Sequence, residues 1–199
     1  MSNAIEIEAK ALVSQKDYEK LALKYMKFGV YTQINHYIDS EDGILRREKL
    51  ALRIRERGDQ FEMTLKVPLS QGLLEKNCVW TRDTFIHFRD HSIMPDGDIK
   101  KMLNMLDIHT KELKIITSLT TDRIDVPYES GKLSIDRNEY SGKVDYEVEL
   151  EHNNEIDAER YLKQFLEENG IEFTLNTKSK VARAIEAYQE KKGKSKNRQ

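Results

Sequence analysis

A chain of 199 residues with 38% hydrophobic and 34% charged side chains can bury one good core, and is too apolar for wholesale disorder. Its 33 basic and 35 acidic residues nearly cancel, which argues against a protein built chiefly to hold nucleic acid, since that task calls for a basic excess. Cys78 is the lone cysteine, so an internal disulfide and a Cys-based zinc site are excluded; with no long apolar run and no basic-then-apolar leader, a cytoplasmic protein with no membrane partner is expected.

The chain opens on "AIEIEAKAL", whose alternation sets Glu6, Glu8 and Lys10 on one strand face and Ile5, Ile7 and Ala9 on the other. "SQKDYEKLALKYMKFG" predicts a helix capped by Ser14 and stopped by Gly29, with Tyr18, Leu21, Ala22, Tyr25 and Met26 inward. "VYTQINHYID" is β-branched and alternating, a strand. "LALRIRERGDQFEMTLKVP" is a hairpin turning at "RGDQ" and ended by Pro68, and "LLEKNCVWTRD" is a further strand. "DGDIKKMLNMLDI" carries a helical stripe of Ile99, Met102, Leu103 and Leu106. Three strands follow, "KELKIITSLTTDRIDVPY", "GKLSIDRNEY" and "KVDYEVELE", joined by short turns containing Gly131 and Gly142. "EIDAERYLKQFLEENG" is a helix with Tyr161, Leu162, Phe165 and Leu166 inward and Gly170 at its end, and "KVARAIEAYQEK" is the last helix. Without a linker-like stretch or a repeat, residues 1–190 read as one α+β domain rich in antiparallel strands, and residues 191–199 as a basic disordered tail.

The charged strand face of the opening segment recurs. Arg53, Arg55 and Arg57 lie opposite Leu52 and Ile54; Glu62, Thr64 and Lys66 lie opposite Phe61, Met63 and Leu65; Asp145, Glu147, Glu149 and Glu151 lie opposite Val144, Tyr146, Val148 and Leu150. Amphipathic helices can cover the apolar sides. The charged sides then either open to water as a solvated sheet, or line the inside of a barrel of about eight strands, a size that can hold one small ligand. Charge of both signs turned inward is costly without partners, so the second arrangement calls for metal ions and an anion.

"EIEAK" resembles the ExExK signature of the CYTH family, the triphosphate tunnel metalloenzymes, which includes thiamine triphosphatases, inorganic tripolyphosphatases and class IV adenylate cyclases. The resemblance continues in order through "LRIR", "TLK", "LLEK", "TDRID", "SIDRNEY", "YEVELE" and "TKSKVAR", from Glu6 to Arg183. It implies an eight-stranded antiparallel β-barrel forming a tunnel, with helices packed outside and a metal-bound triphosphate within. It implies a first metal-binding pair in Glu6 and Glu8, with Glu75 beside the water to be activated, and a second acidic set in Asp136, Glu147 and Glu149. Lys10, Arg53, Arg55, Lys66, Arg123, Lys180 and Arg183 take the place of its phosphate-binding bases, with Lys178 a rival to Lys180. Glu8, Glu75 and Lys180 are the catalytic candidates.

The chemistry asks for the same residue types. Mg²⁺ or Mn²⁺ prefers oxygen ligands, Arg gives phosphate bidentate contacts where Lys acts as a point charge, and phosphoryl transfer needs positioning and charge stabilisation without a covalent nucleophile. The expected function is metal-dependent hydrolysis of inorganic tripolyphosphate or an organic triphosphate such as thiamine triphosphate. The alternatives are an adenylate cyclase making cyclic AMP and pyrophosphate, and a sensor that binds polyphosphate or nucleotide without turnover. The partner is a small triphosphate or polyphosphate in each case; oligomeric state leaves no trace in the sequence. Like charges among the acids are expected to repel, so that Glu149→Gln would stabilise the metal-free protein. Arg57 and Glu151 fall at strand ends and read as rim positions. His87 and His91 stand four apart without a flanking Glu motif and are not assigned to metal.

Overall fold

The computed structural model describes residues 7–68 and 73–196. Eight strands form one antiparallel sheet: β1 (Glu8–Val13), β2 (Tyr31–Asp39), β3 (Ala51–Arg57), β4 (Gln60–Pro68), β5 (Leu73–Trp80), β6 (Lys114–Tyr128), β7 (Gly131–Tyr140) and β8 (Lys143–Glu151). Their order across the sheet is β1-β8-β7-β6-β2-β3-β4-β5. The chain gathers into two compact units, residues 34–119 and residues 7–33 with 120–196, and β2 and β6 run through both.

In residues 34–119 the hairpin β3–β4 turns at Gly58 and Asp59, with Arg57 opposite Gln60 and Gly58 in the left-handed region at φ +58°. Leu52, Ile54, Phe61, Met63 and Leu65 are buried on one side of the strands. Phe85 and Phe88 of α3 (Arg82–His91) and Ile99 and Leu103 of α4 (Asp98–Met105) join them in one core. Helix α3 was not anticipated: Thr81, read as the tail of a strand, instead accepts from the Thr84 amide and starts a helix. Leu106, expected inward, caps α4 past its last turn and is 42% exposed. A short helix, α2 (Ile44–Arg47), is pinned by the buried Asp39 carboxylate, which accepts from the Leu45 and Arg46 amides at 2.8 and 3.3 Å.

In the other unit Ser14 caps α1 (Gln15–Tyr25), accepting from the Asp17 amide, and Asn154 caps α5 (Glu155–Glu168). These helices bury Leu21, Leu162, Phe165 and Leu166 against Ala9, Ala11, Ile124, Ile135, Val148 and Leu150 of the strands. Met26, expected on that face, opens a 3-10 turn instead; its tighter winding rotates the side chain outward. β7 and β8 meet through Ser141 and Gly142, both left-handed at φ +50° and +82°, the pair that a two-residue hairpin turn demands. Helix α6 (Lys180–Lys196) runs six residues into the stretch expected to be a tail. No described helix is long and apolar enough to cross a membrane.

Each helical set covers an apolar strand side and leaves the charged side to its own chemistry. Register across β7 and β8 decides which charges meet, and Gly131 guards it: a Cβ there would collide with the Glu151 carbonyl oxygen. We expect Gly131→Ala to cost about 1–3 kcal/mol in urea unfolding, the range for overpacking. Gly142→Ala, strained by its φ but meeting no atom, should leave the strand register intact.

Candidate active site

In antiparallel strands, residues directly opposite share a face. β6, β7 and β8 are paired so that Arg123 stands opposite Asp136 and Asp136 opposite Glu147; one step along, Ser134 and Lys10 flank Glu149. Alternation along β8 adds Asp145 to that face. Onto this surface α6 sets its first residue. The Lys180 ammonium lies 3.0 Å from Asp136 Oδ2 and 2.5 Å from Glu147 Oε2, and donates to Glu149 Oε1. Arg123 grips Asp136 with two parallel bonds of 2.7 and 2.6 Å and reaches Glu149 at 2.9 Å. Three residues further along α6, Arg183 donates to Asp145 at 2.8 Å, to Glu147 at 2.9 and 3.1 Å, and to the Lys178 carbonyl.

Asp136 and Glu147 have no exposed surface, and the cations around them are mostly buried. Burial opposes ionisation of Glu149, but Lys180 and Arg123 outweigh it and hold the carboxyl well below the usual carboxylate range. Burial likewise opposes the Lys180 cation, yet Glu149, Asp136 and Glu147 push its pKa up; Asp136 and Glu149 do the same for Arg123, and Glu147 and Asp145 for Arg183. A depressed acid stabilises the fold above its unfolded pKa and loses that contribution as pH falls through the folded one. Cations raised in pKa lose theirs only on the far alkaline side. Glu149, Lys180, Arg123 and Arg183 are therefore charged at neutral pH. Asp145 is braced from behind by Asn138 and by Tyr140, whose phenol is pushed up to about 12 by burial and by that carboxylate.

This overturns the expectation of repelling acids. Glu149 is held by two cations, so Glu149→Gln removes a partner from each and should weaken the metal-free fold. The Lys178 question is answered by where α6 begins: Lys180 enters the cluster, while Lys178 pairs with Glu186 at the surface. Arg183, expected among the phosphate-binding bases, is bonded to two carboxylates and a carbonyl, as Lys180 and Arg123 are bonded to acids. Asn176 was missed; it donates to Glu147 at 2.8 Å, and its amide bonds the Lys10 carbonyl, tying the segment before α6 to β1.

One oxygen from each of Asp136, Glu147 and Glu149 lies within 4.8 Å of the others. Three hard oxygen donors so placed fit Mg²⁺ or Mn²⁺, and the ammonium already held there shows that the position suits a cation. Glu8 lies outside the trio, paired with Lys10 at 2.5 Å, and Glu6 falls outside the described residues.

The second charged face belongs to residues 34–119. Lys66 stands opposite Glu75, ion-paired at 2.5 Å; Arg55 stands opposite Glu62 and donates to Asn35 at 3.3 Å. Between them Arg53 stands opposite Thr64, on the same face. Arg57 is exposed, as a rim position should be, and Glu151 pairs with Lys132 near the surface. A cavity of about 370 Å³, lined by Glu62, Asn77 and residues of β5 and α4 including Lys76 and Asp98, contains none of the predicted site residues.

The family model described as the CYTH domain matches residues 4–185. A Bacillus subtilis (strain 168) protein, provisionally named triphosphatase YjbK, is 32% identical over 173 residues, covering 83% of this chain and 88% of that one. Among solved structures, a Bacillus halodurans protein provisionally described as an adenylate cyclase is 34% identical with a TM-score of 0.83, covering 92% of this chain and 98% of that one. A Hippeastrum protein, described as a provisional adenylyl cyclase with a dominant triphosphatase activity, shares the fold at 22% identity and a TM-score of 0.73, over 89% and 93% of the two chains.

The cluster makes a stability prediction. In the presence of a chelator, Lys180→Met should cost about 3–5 kcal/mol in urea unfolding, because it strips the shared cation from three buried acids. Lys178→Met should stay within about 0.5 kcal/mol. Equal losses would mean that Lys180 is not the acids' counter-ion.

Proposed function

This chain belongs to the CYTH domain family, and from that footing we propose that it is a divalent-metal-dependent triphosphatase releasing phosphate from inorganic tripolyphosphate or an organic triphosphate such as thiamine triphosphate, acting in the cytoplasm. The observation that carries this reading is the trio of Asp136, Glu147 and Glu149, brought within reach of one cation on the β7–β8 face. These three carboxylates would hold Mg²⁺ or Mn²⁺. When bound, such an ion neutralises phosphoryl charge and makes a coordinated water easier to deprotonate.

The protein's own residues supply the rest. Arg53, Arg55 and Lys66 offer cationic donors to phosphoryl oxygens from the β3–β4 face, and Lys10, Arg123 and Lys180 from the β1–β8–β6 face. Glu75, buried beside Lys66, is the candidate to accept a proton from the attacking water, with Glu8 as the further acid of the "EIEAK" strand. In hydrolysis a water oxygen bonds to phosphorus, the anhydride P–O bond breaks and orthophosphate leaves. Nothing in that sequence needs a covalent enzyme intermediate.

The Bacillus halodurans relative gives the second reading some weight, a cyclase in which the ribose 3′-hydroxyl takes the place of water. Products separate the two. With tripolyphosphate, thiamine triphosphate, ATP and pyrophosphate as substrates, the hydrolase releases orthophosphate, the cyclase turns ATP into cyclic AMP and pyrophosphate, and a sensor binds without turnover. We expect orthophosphate release that stops on exhaustive chelation and returns with Mg²⁺ or Mn²⁺. Arg53→Ala and Arg55→Ala should lower kcat/KM by about ten- to a hundredfold, the worth of a hydrogen bond to a charged group, and Arg57→Ala by less than about twofold. Turnover that survives chelation would sink the metal-dependent mechanism.

A further inference from the structure

Three rows of side chains cross the β3–β4–β5 face, one pair of residues apart along each strand. The outer rows are internally balanced: Arg55 stands opposite Glu62, and Lys66 opposite Glu75. The middle row differs. It runs Tyr37, Arg53, Thr64 and Asn77 across β2 to β5, with a cation and no acid. The same row gathers polar atoms with nothing to bond: Arg53 Nε, the Thr64 hydroxyl and the Asn77 amide oxygen are each buried without a hydrogen-bond partner. Thr64 is only 1% exposed.

Buried polar groups in folded proteins are nearly always satisfied, and an unmet one costs its full desolvation penalty. Three unmet groups side by side, around an arginine with no acid in its row, form an arrangement that an oxyanion would complete. Arg53 Nε and the Thr64 hydroxyl are donors. The Asn77 amide presents its NH₂ when turned end for end, an exchange that leaves the side-chain shape unchanged. The neutral donors matter here, because they add no carboxylate to the arginine's own row; the nearest, Glu75, lies one row away and is paired with Lys66.

We propose that Thr64 and Asn77, with Arg53, form a phosphoryl-oxygen seat that binds one phosphoryl group of the substrate, so that two neutral residues join the arginines and lysines as determinants of triphosphate binding. The proposal rests on the triphosphatase reading above and narrows it to these side chains.

The test measures binding rather than turnover. Tripolyphosphate and, separately, orthophosphate are titrated calorimetrically into the full chain in chelator, and melting is followed without ligand. Thr64→Val keeps the shape and removes the hydroxyl; Asn77→Asp keeps the shape and sets an acid in the arginine's row. The seat predicts that Thr64→Val raises the Kd for tripolyphosphate about tenfold or more, while the ligand-free Tm holds or rises because an unmet hydroxyl is gone. It predicts a larger loss for Asn77→Asp, together with a ligand-free Tm that holds or rises as the new acid meets Arg53. Tripolyphosphate binding unchanged in either variant overturns the proposal, and so does a change confined to orthophosphate. A lower Tm for Thr64→Val with an unchanged Kd would assign the hydroxyl a purely structural role. If the unaltered chain binds no tripolyphosphate either in chelator or with Mg²⁺ added, the triphosphatase reading fails and the seat fails with it; if it binds and the variants bind equally, only the seat fails.

Discussion

One ammonium among three carboxylates sets the terms for the unit built on β1, β8, β7 and β6. Each buried ion has left water at a cost of several kcal/mol, and only close, well-directed partners return it. Lys180 meets that demand from the first position of α6, Arg123 from the neighbouring strand, and Arg183 from one turn further along the helix. The register of β7 on β8, the start of the helix and the Asn176 contact to Glu147 are therefore parts of one electrostatic solution.

The face of residues 34–119 solves the same problem differently. Two of its rows pair each base with an acid across the strands, and the third leaves an arginine among neutral groups. The carboxylate-rich face suits a cation, and the arginine, threonine and asparagine row suits an anion. A metal-dependent reaction on a polyphosphate needs both kinds of surface.

Much of this was legible because strands repeat every two residues. That period alone set Arg53 and Arg55 on one face of their strand, Lys66 with Glu62 and Thr64 on one face of the next, and Glu147 with Glu149 on one face of theirs, and the caps Ser14 and Gly170 marked helix ends through local chemistry that needs no tertiary knowledge. Helix α3 was obscured because "TRDTFIHFRDH" offers only Phe85, Ile86 and Phe88 to the core and follows a strand without a break. Met26 and Leu106 were placed inward by carrying the 3.6-residue period past the point where each helix tightens or stops. The sign of the Glu149 interaction was wrong for a different reason. Sequence places acids side by side on β8, but nothing in the period of β8 tells that a helix thirty residues later will lower a lysine among them. Asn176, Thr64 and Asn77 were invisible as site residues because neutral side chains in polar stretches carry no pattern until register shows what lies opposite.

We infer that the carboxylates of Asp136, Glu147 and Glu149, held in the metal-free protein by Lys180, are the ligands of a catalytic divalent ion. An anomalous difference map from crystals grown with Mn²⁺ and tripolyphosphate tests it directly. A Mn²⁺ peak bound by those carboxylates is expected, lost in crystals of the Glu147→Gln, Glu149→Gln double variant. A Mn²⁺ peak held by other residues, with Lys180 still bonded to all three acids, would contradict it.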